Sequence, residues 1–207
     1  MNGVVITAWL NSVFSEFDYS ILFFLHGLAQ RTNGTLTFFF EFISFISEKG
    51  ILFLLIGIVL FCFKKTRKTG ACLFGSVCFG SSITLILKHL VSRPRPFAVT
   101  LGYYEWWQFI GAPAESGCSF PSGHTTVVMA AATALFLSLN KKGSWLFFLY
   151  VILIGISRCY LMVHYPSDIL GGIVVGAIGA VIAFYITRRL LDFCNGLRTR
   201  RLEKRNI

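Results

Sequence analysis

The sequence predicts an all-α fold, a polytopic bundle of transmembrane helices, and three observations carry that expectation. The 207 residues are 55% hydrophobic and only 14% charged, against roughly a quarter charged in an ordinary soluble domain. Five stretches free of Asp, Glu, Lys and Arg cover 50–63, 69–87, 116–140, 143–157 and 169–187, and the one at 116–140 holds only His124 as a group able to gain charge. Most lysines and arginines gather between or after these stretches rather than along a polar face.

Taken in order, residues 1–48 are apolar but broken by Glu16, Asp18, His26, Arg31, Asn33-Gly34, Glu41 and Glu48. They are expected to form one or two N-terminal helices that lie in the membrane interface or span it weakly. Residues 49–190 are expected to form the transmembrane core, with five spans. A spanning helix takes about 20 mostly apolar residues, within a range of about 17–25. The runs 69–87, 116–140 and 169–187 meet that almost unaided. The runs 50–63 and 143–157 reach it when flanking polar residues sit in the interface or snorkel. Residues 191–207 form a basic tail. Gly172, Gly176 and Gly179 give the last helix a small face suited to close helix packing.

The cations set the topology. Lys64, Lys65, Arg67 and Lys68 join the first two spans; Lys141 and Lys142 join the third and fourth; Arg188, Arg189, Arg198, Arg200, Arg201, Lys204 and Arg205 follow the fifth. Alternating spans put all three clusters on one side, which the positive-inside rule makes cytoplasmic. The C-terminus is then inside, and Lys88, Arg93, Arg95 and Arg158 fall on the extracytoplasmic side. Residues 1–15 lack a basic n-region, so no cleaved signal peptide is expected.

A net charge of +10 invites a nucleic-acid reading, but no basic stripe is interleaved with aromatics on a polar face, so nucleic acid is not an expected partner. The six cysteines include no CxxC pair, which argues against structural zinc. They read as small buried hydrophobes and free thiols, with a disulfide between Cys118 and Cys159 as the alternative. The long 92–121 link carries Tyr103, Tyr104, Trp106 and Trp107, which fit either an interfacial anchor or a cover over a site.

Three short stretches hold the chemistry. In Lys88–Pro96 (KHLVSRPRP), Lys88 ends an apolar run, while Pro94 and Pro96 keep Arg95 off the helix on stiff, extended chain. A phosphate monoester carries about two negative charges, and a guanidinium can grip it with two parallel hydrogen bonds. In Pro121–His124 (PSGH), Ser122 and Gly123 begin an apolar helix whose free N–H groups suit phosphate oxygens. Ser122 can cap that helix, donate its hydroxyl to phosphate, or both, and His124 in the first turn can reach the same ligand. In Ser157–Asp168 (SRCYLMVHYPSD), Arg158 ends a span, and Asp168 follows His164 by four residues, just inside a helix begun by Pro166. A carboxylate so placed can accept the Nδ1–H of His164 and leave Nε2 as a nucleophile.

Together the three stretches resemble the tripartite signature of the type 2 phosphatidic acid phosphatase superfamily: KxxxxxxRP, PSGH and SRxxxxxHxxxD. Lys88, Arg95, Pro96, Pro121, Ser122, Gly123, His124, Ser157, Arg158, His164 and Asp168 fill every position. The resemblance implies hydrolysis of a membrane lipid phosphate without metal or other cofactor, through a phosphohistidine. His164 is then the nucleophile and Asp168 its orienting partner. Lys88, Arg95, Arg158, Ser122 and the Gly123 N–H hold phosphoryl oxygens, His124 is the acid and then the base, and Ser157 lends a supporting hydrogen bond. Small size and an outward site are most similar to bacterial undecaprenyl-diphosphate phosphatases. Phosphatidylglycerophosphate or phosphatidate hydrolysis, and phosphotransfer to another lipid, are the alternatives. The apolar spans set the chain apart from the soluble vanadium haloperoxidases, which share the motifs. Both histidines are in place, which disfavours a non-enzymatic lipid binder. The sequence sets no oligomeric state.

Overall fold

The computed structural model of the chain describes residues 2–139 and 143–203. Lys141 and Lys142, with Lys204 and Arg205 of the tail, lie outside the described residues. Among the described residues the regular structure is helical, in the order α1 (Asn2–Val13), α2 (Ser15–Arg31), α3 (Thr37–Ile46), α4 (Ile51–Cys62), α5 (Arg67–Val91), α6 (Leu101–Ile110), α7 (Gly123–Leu139), α8 (Phe147–Tyr160) and α9 (Pro166–Glu203).

The centre of the bundle is α5, α7 and α9 packed on one another, with α4 against α5 and α8 against α7. Leu73 and Val77 of α5, Val127, Val128 and Ala131 of α7, and Val151 and Ile154 of α8 make one buried apolar cluster. Backbones approach closely where glycines allow it. A Cβ on Gly176 of α9 would stand 2.6 Å from the Thr126 carbonyl oxygen and 2.8 Å from Met129 Cβ, so the small face expected on α9 is a packing seam. That seam fixes the start of α7 against the start of α9. Large apolar side chains cover the outer faces of α3, α4, α5 and α9, among them Phe38, Ile51, Leu85 and Ile178. Such continuous exposure suits lipid rather than water.

Among the described residues, three stretches are long and apolar enough, by length and composition, to cross a membrane: Thr37–Cys62, Arg67–Ala98 and Pro166–Cys194. The other two expected spans correspond to the shorter apolar helices Gly123–Leu139 and Ser144–Tyr160. One boundary holds and one moves relative to the sequence expectation. The Thr37–Cys62 stretch is broken where Lys49 at φ 52° and Gly50 at φ 70° are left-handed, and α4 starts at Ile51, beside the expected edge at residue 50. Residues 116–122 are not helical; the carbonyls of Ser116, Gly117 and Cys118 accept from Arg95 and Lys88 instead of from a helix.

The N-terminal segment packs against the bundle. Asp18, Leu22, Leu25, His26 and Ala29 line the buried face of α2, a helical spacing that places one carboxylate on an otherwise apolar stripe. Leu22, Leu25 and Ala29 join Phe40 and residues 159–163 in a second buried cluster. The aromatic link forms α6, where Trp106 stacks on His26 at 4.7 Å and Tyr103 meets Tyr165 edge-on at 6.3 Å. It therefore covers the turn that carries His164. All six cysteines are free thiols.

Candidate active site

The motif residues meet at one end of the bundle. Lys88 lies in the last turn of α5, about 30 Å along the helix from Lys68 at the 1.5 Å rise of an α-helix. Ser92 turns the chain through a left-handed conformation at φ 52°, and Arg95 follows on extended backbone. Ser122 stands immediately before α7, where its Oγ accepts hydrogen bonds from the Thr125 N–H at 3.4 Å and the Thr125 hydroxyl at 3.1 Å. That is an N-cap, a contact usually worth about 1 kcal/mol. The Ser122 N–H donates to the Asp168 carbonyl at 3.1 Å, joining the starts of α7 and α9. Pro166 opens α9, as its rigid φ favours, with Asp168 in the first turn.

His164 sits on the buried turn between α8 and α9. Its Nε2 faces Arg95 Nη1 at 3.3 Å, and Arg95 Nη1 also donates to the Val163 carbonyl at 2.9 Å. The other side of the ring differs from the sequence expectation. Asp168 Oδ2 is 3.5 Å from Nδ1, too far for a good hydrogen bond. Ser119 stands between them: its hydroxyl donates to Asp168 Oδ2, and its oxygen lies 3.4 Å from Nδ1. With its own proton committed to the carboxylate, Ser119 presents a lone pair to the ring. That favours hydrogen on Nδ1 and leaves the Nε2 lone pair to accept from Arg95. Burial holds the His164 imidazole well below its ordinary pKa, and the charges of Arg95, Arg158 and Lys88 push the same way. The ring is thus neutral and able to act as a nucleophile at pH 7.

The three expected phosphate cations converge on one loop. Glu115 forms ion pairs with Arg95 Nη2 at 3.1 Å and with Arg158 Nη2. Arg95 also donates to the Ser116 carbonyl at 3.0 Å and the Gly117 carbonyl at 3.1 Å, while Lys88 donates to the Cys118 carbonyl. The buried Arg158 Nε has no acceptor among the described residues. Beside these groups opens a cavity of about 580 Å³ lined by Glu41, Glu48, Lys49, Glu115, His124 and Arg158, among others. His124, half-buried, looks into it from the first turn of α7.

Ser157 is fully buried and does not line the cavity. Its hydroxyl donates to the Phe40 carbonyl at 2.7 Å and stands 2.6 Å from the Ser44 hydroxyl, tying α8 to α3.

Sequence reasoning passed over Glu115, Ser119, Arg93, Asp18 and Ser167. Arg93 shares with Arg95 the feature of preceding a proline, and Asp18 is a lone acid on an apolar stripe; both were visible signals. Ser119 and Glu115 lie on irregular chain and offered none.

A neutral buried histidine facing an arginine, with further cations and a second histidine around one cavity, is equipped for phosphoryl transfer. Residues 69–192 match the PAP2 superfamily, well over half of the chain. The chain belongs to the PAP2 superfamily. As a PAP2-type membrane lipid phosphatase it has relatives across bacteria. It is 29% identical over 179 residues to undecaprenyl-diphosphatase BcrC of Bacillus subtilis, covering 85% of this chain and 87% of BcrC. It is 40% identical over 103 residues to the putative undecaprenyl-diphosphatase YbjG of Escherichia coli, covering 49% of this chain and 48% of YbjG. The crystal structure of a transmembrane PAP2 type phosphatidylglycerolphosphate phosphatase from Bacillus subtilis superposes with a TM-score of 0.66 at 24% identity. The superposition covers 91% of this chain and 92% of that one, and establishes the shared fold.

Proposed function

We propose that this phosphatase removes the terminal phosphate of undecaprenyl diphosphate, at the extracytoplasmic face of a bacterial plasma membrane. The observation that carries the reading is the buried His164 with Nε2 held 3.3 Å from Arg95, whose partner Glu115 lines a cavity together with Arg158 and His124. The likeness to BcrC over most of both chains supports the lipid assignment.

In the first step Nε2 of His164 attacks the terminal phosphorus. The bond from phosphorus to the bridging oxygen breaks, and His124 in its protonated form gives that oxygen its proton, so undecaprenyl phosphate leaves. In the second step neutral His124 takes a proton from water, the water oxygen attacks the phosphohistidine, and inorganic phosphate departs with Nε2 free again. Lys88, Arg95 and Arg158, with the Ser122 hydroxyl and the Gly123 N–H, hold the phosphoryl oxygens as their charge redistributes. Asp168, acting through Ser119, steadies the positive charge that attack creates on the ring. Ser157 holds α8, and so Arg158, in place. Lys64, Lys65, Arg67, Lys68, Arg188 and Arg189, toward the other ends of the helices, support an outward site and an inward C-terminus by the positive-inside rule.

The test is phosphate release by detergent-purified protein, with EDTA present. The panel is undecaprenyl diphosphate, undecaprenyl phosphate, phosphatidylglycerophosphate and phosphatidate. Preference for undecaprenyl diphosphate with full activity in EDTA is expected. Preference for phosphatidylglycerophosphate would move the assignment to that lipid, and activity lost to EDTA and restored by Mg²⁺ would end the metal-free mechanism.

Glu115 holds the guanidinium N–H groups that a phosphoryl group needs. Glu115→Gln is therefore expected to strengthen inhibition by inorganic phosphate about fivefold, equivalent to ~1 kcal/mol for a partly exposed ion pair. Unchanged phosphate inhibition in this variant would show that the carboxylate does not compete.

A further inference from the structure

A second charged cluster lies behind the His164–Asp168 pair, on the side away from the cavity, and it reaches the N-terminal helices. Arg93 is its centre, with a side chain 1% exposed. Arg93 Nη1 donates to Asp168 Oδ1 at 2.7 Å and to the Ser167 hydroxyl at 2.7 Å. Nη2 donates to Asp18 Oδ2 at 2.9 Å, and Nε to the Asn11 side-chain oxygen at 2.9 Å. The guanidinium lies over the Tyr165 ring at 3.9 Å. Asp18 closes the circuit: Oδ1 accepts the Ser167 N–H at 2.8 Å, and Oδ2 accepts the Ser167 hydroxyl at 2.7 Å.

Two properties of this cluster matter for the reaction. The first is geometric. Asp168 offers its two oxygens to different tasks: Oδ2 faces Ser119, the Tyr165 N–H and His164, while Oδ1 is held by Arg93. The direction in which Oδ2 points is thus set by Arg93, and Arg93 is itself held by Asp18 and Asn11. The second is charge. Two carboxylates share one guanidinium, all three buried, so this cluster places one more negative than positive charge on the Nδ1 side of the imidazole, opposite Arg95 at Nε2. Buried charge acts through a low effective dielectric and is strongly felt over such distances. A ring that becomes positive on attack is balanced by it.

We propose that Asp18 and Arg93 are positioning residues for the phosphatase reaction: through Asp168 they aim the nucleophile and supply the negative charge that offsets the phosphorylated ring. The N-terminal helices are then part of the reaction machinery. This rests on the reading of His164 as the nucleophile.

The experiment compares wild type, Asp18→Asn, Arg93→Lys and His164→Ala, each purified and checked for folding by thermal unfolding and size-exclusion profile. Asp18→Asn keeps the shape of the side chain and removes its charge; Arg93→Lys keeps the charge and removes the fork. Turnover and KM are measured on the preferred lipid phosphate, and acid-stable protein-bound phosphate is excluded as the marker in favour of the acid-labile phosphohistidine trapped by alkaline quench. Both network variants are expected to lose kcat by about 10–100-fold, the usual scale for a partner one bond removed from the reacting group. KM should stay within about threefold and the phosphohistidine should form more slowly, since the cations that bind substrate are untouched. A folded Asp18→Asn that turns over and forms phosphohistidine at the wild-type rate overturns the proposal. If Asp18→Asn fails to fold, Arg93→Lys and Ser167→Ala decide by the same criterion. An active His164→Ala would instead remove the underlying nucleophile assignment, an outcome separate from either.

Discussion

His164→Ala is expected to abolish turnover on every lipid phosphate, with the protein folded and still able to bind substrate. The expectation follows from position. Nε2 is held 3.3 Å from Arg95, so the lone pair and the cation address the same phosphoryl group. Lys88, Arg95 and Arg158 are held by the Cys118, Gly117 and Ser116 carbonyls and by Glu115, so their placement does not depend on the imidazole alone. Removing the ring leaves a phosphate-binding pocket without a nucleophile, and water at that point has no comparable approach to phosphorus. The measurement is phosphate release together with phosphate-analogue binding. Loss of turnover with vanadate binding retained is the expected pair of results. Near-normal turnover in the purified variant would falsify the covalent mechanism.

His124→Ala is expected to slow turnover by about 10²–10⁴-fold, the range in which general acid–base groups contribute. The residue lines the cavity from the first turn of α7, beside Arg158 and Glu48, on the side a leaving lipid oxygen would occupy. Its loss affects both halves of the cycle, because the same group protonates the leaving oxygen and later activates water. A substrate whose leaving group needs no proton separates the two. With p-nitrophenyl phosphate the first step should be nearly insensitive to His124→Ala, and the phosphohistidine should accumulate because its hydrolysis still needs the base. Equal slowing of both steps on that substrate would remove His124 from proton transfer at the leaving group.

Much of this was legible in the sequence because prolines and helix ends are local signals. Pro94 and Pro96 force Arg95 off α5, Pro166 opens α9 just before Asp168, and Ser122 caps α7, so three distant segments could be assigned to one end of a bundle. The span boundaries were unevenly legible. Glu48 and Lys49 mark a true helix break, with α4 starting at Ile51, but the uncharged run from 116 gave no sign that α7 begins only at Gly123. Ser119 was hidden for a different reason. Sequence spacing indicates that Asp168 can reach His164, but a third side chain inserted between them depends on a loop with no periodic pattern. Asp18 carries its meaning only through a partner 75 positions away, and no local pattern announces such a pairing.

The bond from Ser167 to Asp18 spans 149 positions of chain, and that separation has a consequence for how the protein is made. Synthesis runs from the N-terminus and delivers the early helices first. The acid on α2 enters the membrane well before Arg93 and waits longer still for Asp168. A nascent chain arrested after α8 already carries Lys88, Arg95, His124 and Arg158, but it lacks His164. The residues from His164 to Asp168 bring the ring and its carboxylate together and join both to the first part of the chain to be made. The charged cluster around the imidazole is therefore complete only once the start of α9 has docked on the N-terminal helices.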